Sequence, residues 1–228
     1  MKGVSVLPAL AAALLSAGCG GRPADRPALT VGGIPLPAGQ LDEAVDELRH
    51  TFPGYGTDTL RWDLLRKGML AATLLHARHA EESRAARKLA EFQAGLLRRG
   101  GSFPQDLPAS GSGFRLERAW TPMPPTPYGL GARAAAAVST MEPGEWRGPL
   151  KTRQGWEILY LEKRFEGERS RAAVVVHRLV FPVGPPEAAR KAGSDWEALP
   201  LEADPAYREA IPLPLREKNR PSAPETRP

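Results

Sequence analysis

The chain has 228 residues, with 31 Lys and Arg against 26 Asp and Glu, four His and one Cys. A single cysteine excludes an internal disulfide. A net charge of +5 spread along the chain lacks the concentrated basic surface that nucleic acid requires, so no nucleic-acid partner is expected.

Residues 1–18 read as a signal peptide. Lys2 supplies the positive start, and "VLPALAAALL" is apolar but too short to span a bilayer. "LLSAGC" then places small residues directly before Cys19, which is similar to a bacterial lipobox, with Leu15 one place further upstream than usual. Either Cys19 is lipidated or it is a leftover of an ordinary signal peptide. A lone exposed thiol is a liability in an oxidising compartment, which favours lipidation. Gly20 after Cys19 favours the outer membrane, facing the periplasm. Residues 19–27, rich in Gly and Pro, form a flexible tether.

Residues 28–83 form a helical N-terminal segment. A short strand over 29–31 meets a Gly-Gly turn, and Leu41, Val45 and Leu48 then lie on one helical face. "TFPGYGTD" breaks the chain, and Asp58 or Thr59 caps a longer apolar helix. The sequence from 60 to 99 is two helices or one kinked helix, with Ser83 as the start of the second. That second helix carries Leu89, Phe92, Leu96 and Leu97.

Residues 84–182 form a second unit. A strand is expected at 114–120, a proline-rich loop at 121–129, and an alanine-rich helix from Leu130 that ends before Pro143-Gly144. Two strands follow. The first, 156–164, alternates Trp156, Ile158 and Tyr160 with Leu159 and Leu161. The second, 173–181, is apolar on both faces and belongs in the centre of a sheet. Residues 183–228 hold nine prolines and read as a Pro-rich C-terminal tail, with one helical turn at "DPAYREAI" and disorder at "NRPSAPETRP". The fold class is α+β, with a small antiparallel sheet, helices and this tail.

Several steps resemble a parvulin-type peptidyl-prolyl isomerase domain. They are the Gly100 to Phe103 step after a helix, then Pro143-Gly144-Glu145, Gly148-Pro149, and Thr152-x-x-Gly155-Trp156 before a strand. The segment 29–48 is similar to the N-terminal part of SurA- and PrsA-type folding factors. The resemblance implies a sheet with two histidines on adjacent central strands and an apolar proline pocket, working without a cofactor or a metal. His177, in "VVVHRLVF", fills one histidine position if strand 173–181 is a circularly permuted first strand; the competing reading is a truncated second repeat. The other histidine position is Glu157, facing His177 in a hydrogen bond. Glu117 is the only acid near the place of the missing Gly-Asp-Leu-Gly turn. Leu130 and Ala134 take the pocket's Met and Phe positions, with Met141 and Trp156 completing the substrate-binding set.

His177 is otherwise a structural core histidine. His76, His79 and Glu82 have helical metal-ligand spacing but no fourth ligand, so a solvated helix face is the expectation. The expected partners are unfolded or extended proline-containing polypeptides and, through the lipid anchor, the membrane. Two functions fit: an envelope-anchored isomerase or foldase for exported proteins, or a non-catalytic periplasmic chaperone or assembly lipoprotein with a degenerate pocket.

Overall fold

In the computed structural model, residues 26–103, 113–122, 130–165 and 173–218 are described. Cys19, most of the tether, most of the proline-rich loop, the connection between the last two expected strands and the final ten residues lie outside them. The chain is α+β, with antiparallel sheets in the orders β2-β1-β7 and β3-β6-β5-β4.

The first sheet begins with β1 (Pro27–Val31) and β2 (Ile34–Pro37). Gly32 and Gly33 both adopt positive φ, 56° and 78°, in the two-residue hairpin that matches strand twist. The expected turn is therefore also the start of a strand that its sequence did not announce. Helix α1 (Ala38–Thr51) buries Leu41, Val45 and Leu48, as their spacing predicts.

Helix α2 (Thr57–Leu64) and α3 (Leu70–Arg78) follow, joined by Leu65–Met69, where the chain kinks at Gly68 with φ and ψ of 160° and −25°. The N-cap of α2 is Gly56, not Asp58 or Thr59. The expected break at Ser83 lies at His79, whose φ and ψ of −116° and 49° leave the helical region before α4 (Ala80–Arg98). Helix α4 also turns a different face inward. Ala86, Ala90, Ala94 and Leu97 are buried, whereas Leu89, Phe92 and Leu96 are exposed. Alanine at every fourth position lets the helix lie close on β4, β5 and β6; a phenylalanine there would hold it off.

The second sheet comprises β3 (Arg115–Pro122), β4 (Trp146–Thr152), β5 (Gly155–Phe165) and β6 (Ala173–Pro182), with helix α5 (Ala132–Ser139) between β3 and β4 in the chain. Strand β6 lies between β3 and β5, antiparallel to both, and Val174 to Val180 are all buried. Its two-sided apolarity required that central place. On one face, Ile158, Leu179 and Phe181 join a core with α1 to α4. On the other, Leu159, Leu161, Val174 and Val176 pack on Ala134, Ala135, Ala137 and Val138 of α5.

Strand β4, expected as turns alone, owes its shape to two glycines. A Cβ at Gly148 would come within 2.5 Å of the Glu157 carbonyl oxygen, and one at Gly155 within 2.1 Å of that of Phe181. Both glycines have positive φ, 134° and 137°. The register shifts between Arg147 and Leu150, where Gly148 lets the bulged strand touch its neighbour.

Residues 183–218 are not a detached tail. Helix α6 (Pro186–Asp195) packs on α3, and β7 (Leu201–Ala203) pairs with β1. The 3₁₀ turn Pro205–Ala210 occupies the expected helical turn, before a last helix, α7 (Leu213–Lys218). Pro186 and Pro205 sit at element starts, where the missing N–H costs nothing. Tyr207 donates its hydroxyl to Asp42 at 2.6 Å, and the Arg61 guanidinium lies 4.4 Å above its ring. Residues 27–51 and 201–207 thus meet in one place.

Gly155→Ala should destabilise the protein by about 3 kcal/mol or more, because both φ and the Phe181 carbonyl oppose it. Gly33→Ala, with open space around its Cβ position, should cost about 1 kcal/mol through φ alone. Urea denaturation of both variants measures the difference.

Candidate functional site

In the β5–β6 register Glu157 lies opposite Val180, and Tyr160 opposite His177. Strand alternation therefore puts Glu157 and His177 on opposite faces of the sheet. The expected hydrogen bond between them is not formed. The residue of β6 that shares the Glu157 face is Arg178.

Arg178 donates from Nε and Nη2 to the Glu157 carboxylate at 2.9–3.0 Å, and from Nη1 to Glu117 of β3 at 3.0 Å. Thr152 donates its hydroxyl to Glu157 at 2.6 Å. Glu157 is fully buried and Arg178 nearly so. Burial pushes the Glu157 carboxyl up from its ordinary range, while Arg178 and Thr152 pull it down. With two donors on one carboxylate and a second carboxylate on the guanidinium, the charges are paired and hydrogen-bonded among themselves.

His177 belongs to the α4 side. Its Nε2 donates to Glu162 at 2.6 Å, and Arg118 of β3 grips the same carboxylate through two bonds of 2.8 and 2.9 Å. These donors, Arg118 first, hold the Glu162 carboxyl down at about 2. Glu162 is the extra residue at a bulge where Leu161 pairs with Val176 and Lys163 with Val175. The other ring nitrogen of His177, Nδ1, is buried and has no hydrogen-bond partner among the described residues. Phe103 stacks on Tyr160 at 5.0 Å, with His177 at its edge.

Trp156 also faces α4. Its indole N–H donates to the Ser83 carbonyl at 3.0 Å, and its ring lies edge-on to His76 at 5.4 Å. His76, expected on a solvated face, is buried. Its Nε2 meets the Thr152 carbonyl oxygen at 2.9 Å and its Nδ1 meets the Ser83 hydroxyl at 2.7 Å. A carbonyl only accepts, so Nε2 carries the proton and Nδ1 accepts from Ser83. Burial, the largest cause, pushes the His76 pKa down to about 4. Ser83 therefore joins a helix to the sheet and does not start a helix. His79 is separate, 3.3 Å from Glu82, whose other oxygen accepts from the Gly184 N–H.

The four residues expected to bind substrate do not surround one cup. Trp156 is on the α4 side, while Leu130, Ala134 and Met141 are buried on the α5 side. Ala134 is fully enclosed against the sheet, so its small size serves helix-to-sheet packing. A phenylalanine there would overpack the core at a cost of about 1–3 kcal/mol.

The sequence singled out Glu157 and Glu117 but passed over Arg178, which joins them. The signal available was parity: in an antiparallel pair only one of two consecutive β6 residues can share the face of Glu157. The pairing register of β5 with β6 decides between them. Comparison with protein-family models, curated proteins and solved structures finds no match to this chain.

Arg178→Met should cost about 3–5 kcal/mol because it strands a buried carboxylate, and adding Glu157→Leu should restore most of the loss. Denaturation midpoints of the single and double variants check this. A second expectation concerns acid. Between pH 6.5 and about 4 the unfolded chain binds a proton that folded His76 refuses. The stability contributed by neutral His76 is full above pH 6.5 and falls by roughly 3 kcal/mol as pH drops to about 4. The stability advantage of the wild type over His76→Gln should narrow across that range.

Proposed function

We propose that this chain is an envelope-anchored, parvulin-like chaperone that holds extended segments of exported polypeptides and has lost prolyl isomerisation. Lipidated Cys19 and the tether would keep the folded part beside the membrane, on the periplasmic side of the outer membrane. Strand β6 in the central place, antiparallel to β5, supports the permuted reading of the parvulin resemblance over a truncated second repeat.

The observation that carries the loss of activity is the ion pair between Arg178 and Glu157. Glu157 stands at one of the two positions where the resemblance implies histidines, and its partner is Arg178 instead of His177, which lies on the opposite face. Isomerisation has a barrier of about 20 kcal/mol, and lowering it requires an apolar cup that desolvates the proline and loosens the amide. Here the polar positions are occupied by charges that bond to one another, and the alanines of α5 fill the space above the sheet. A prolyl peptide would have to break a buried salt bridge to enter.

Holding a client requires exposed apolar surface instead. Leu89, Phe92 and Leu96 present such surface along α4, and Trp120 of β3, 65% exposed, lies on the same side of the sheet. Among the described residues these side chains lie outside the buried core.

The test is a protease-coupled proline-peptide isomerisation assay run beside aggregation suppression of a reduced client. The mature protein should leave isomerisation at its uncatalysed rate while delaying aggregation. Phe92→Ser with Trp120→Ser should weaken protection several-fold at unchanged melting temperature, since both side chains are exposed. Isomerase turnover by the wild type would overturn the loss of activity. Failure to protect any client would remove the chaperone function.

A further inference from the structure

A cleft of about 650 Å³ opens where α2, the kink at Gly68, the β4–β5 turn and the last helices meet. That volume is in the range of small-ligand sites. Its apolar wall is made by Trp62, Trp196 and Leu215, and its cations are Arg66, Lys67 and Arg153. Glu197 is the single acid among the lining residues.

The two indoles meet edge to face at 6.2 Å, with planes at 78°. Asp63 organises the cations of the near wall. Arg66 donates to it from Nε at 3.0 Å and Nη2 at 2.7 Å, and Lys67 from Nζ at 2.9 Å. One carboxylate thus fixes two positive groups. Burial opposes the charge on Asp63, yet the bonds from Lys67 and Arg66 hold its carboxyl below the ordinary range.

The opposite lip carries Arg153, at the turn between β4 and β5. It is exposed, and no hydrogen bond or ion pair to it is made among the described residues. The chain kinks at Gly68, whose φ of 160° and ψ of −25° leave the helical region. Arg66 and Lys67, just before that kink, line the cleft together with Gly68.

We propose that this cleft binds a carboxylate carried on an apolar body, with the carboxylate between Arg153 and the Arg66–Lys67 pair and the apolar part against Trp62 and Trp196. Planar guanidinium forks match a carboxylate, and indole faces take an apolar chain. A polypeptide C-terminus ending in an apolar residue and a free acyl chain both offer this chemistry. The cleft is independent of the client-holding surface on α4 and stands or falls separately.

The experiment uses dansyl-leucine as the probe, with energy transfer from Trp62 and Trp196 to the dansyl group as the readout. Dansyl-leucinamide, which lacks only the charge, is the paired control. Dansyl-leucine should bind and the amide should bind at least tenfold more weakly. Arg153→Ala and Arg66→Ala, both at exposed side chains, should reproduce that loss at unchanged melting temperature. Raising salt should weaken binding of the acid and leave the amide unaffected. Competition separates the two sources: displacement by an acetylated leucine peptide with a free C-terminus assigns polypeptide, and displacement by decanoate assigns the acyl chain. Equal binding of acid and amide, binding untouched by both arginine substitutions, displacement by neither competitor, or no binding would each overturn the proposal.

Discussion

Arg178 is 3% exposed in the middle of a strand buried on both faces. A guanidinium keeps its charge at any accessible pH, so the neighbouring strands have to supply carboxylates at its height. Glu157 does so from β5 and Glu117 from β3, and Thr152 closes the network from the end of β4. One side chain thereby ties together all four strands of the sheet. A slip of one residue between β5 and β6 would turn Glu157 to the opposite face and strand two charges. The pair adds little net stability compared with well-packed apolar residues. Its contribution is to penalise every other register.

The same requirement shapes the two faces differently. On the α5 side, the sheet carries the Arg178 network and the apolar residues that pack on the alanine-rich helix. On the α4 side, the bulge at Glu162 lets His177 and Arg118 share one carboxylate, while Trp156 and His76 join helix to sheet through Ser83. The Thr152 residue lies at the hinge of both arrangements. Its carbonyl receives His76 from one side, and its hydroxyl supports Glu157 on the other.

The N-terminal segment is fastened to this sheet by charge as well as by packing. Glu47 of α1 accepts from Arg133 of α5 and from Arg147 of β4, and the Ser139 hydroxyl reaches the Glu47 carbonyl. At the far end, β7 and Tyr207 return to β1 and α1. Residues far apart in the chain therefore close one body, with the cationic cleft at the seam between the ends and the sheet.

Elements whose own side chains carry a period were legible in the sequence alone. The face of α1, the central place of β6, the alternation of β5 and the alanine-rich helix all follow from spacing, because burial selects apolar residues at the helical or strand repeat. The Gly-Gly and Thr-x-x-Gly steps likewise marked turns, whereas Gly148-Pro149 lies in the bulged strand β4. Only tertiary structure decided which face α4 buries, since alanine and leucine both suit a helix and the choice depends on how near the sheet lies. It also decided that Pro186 and Pro205 start elements and do not prevent them. The candidate site was half legible: Glu157 and Glu117 stood out, but choosing Arg178 over His177 required the register. That choice is set by the pairing of two strands across the sheet, which no period within either strand contains.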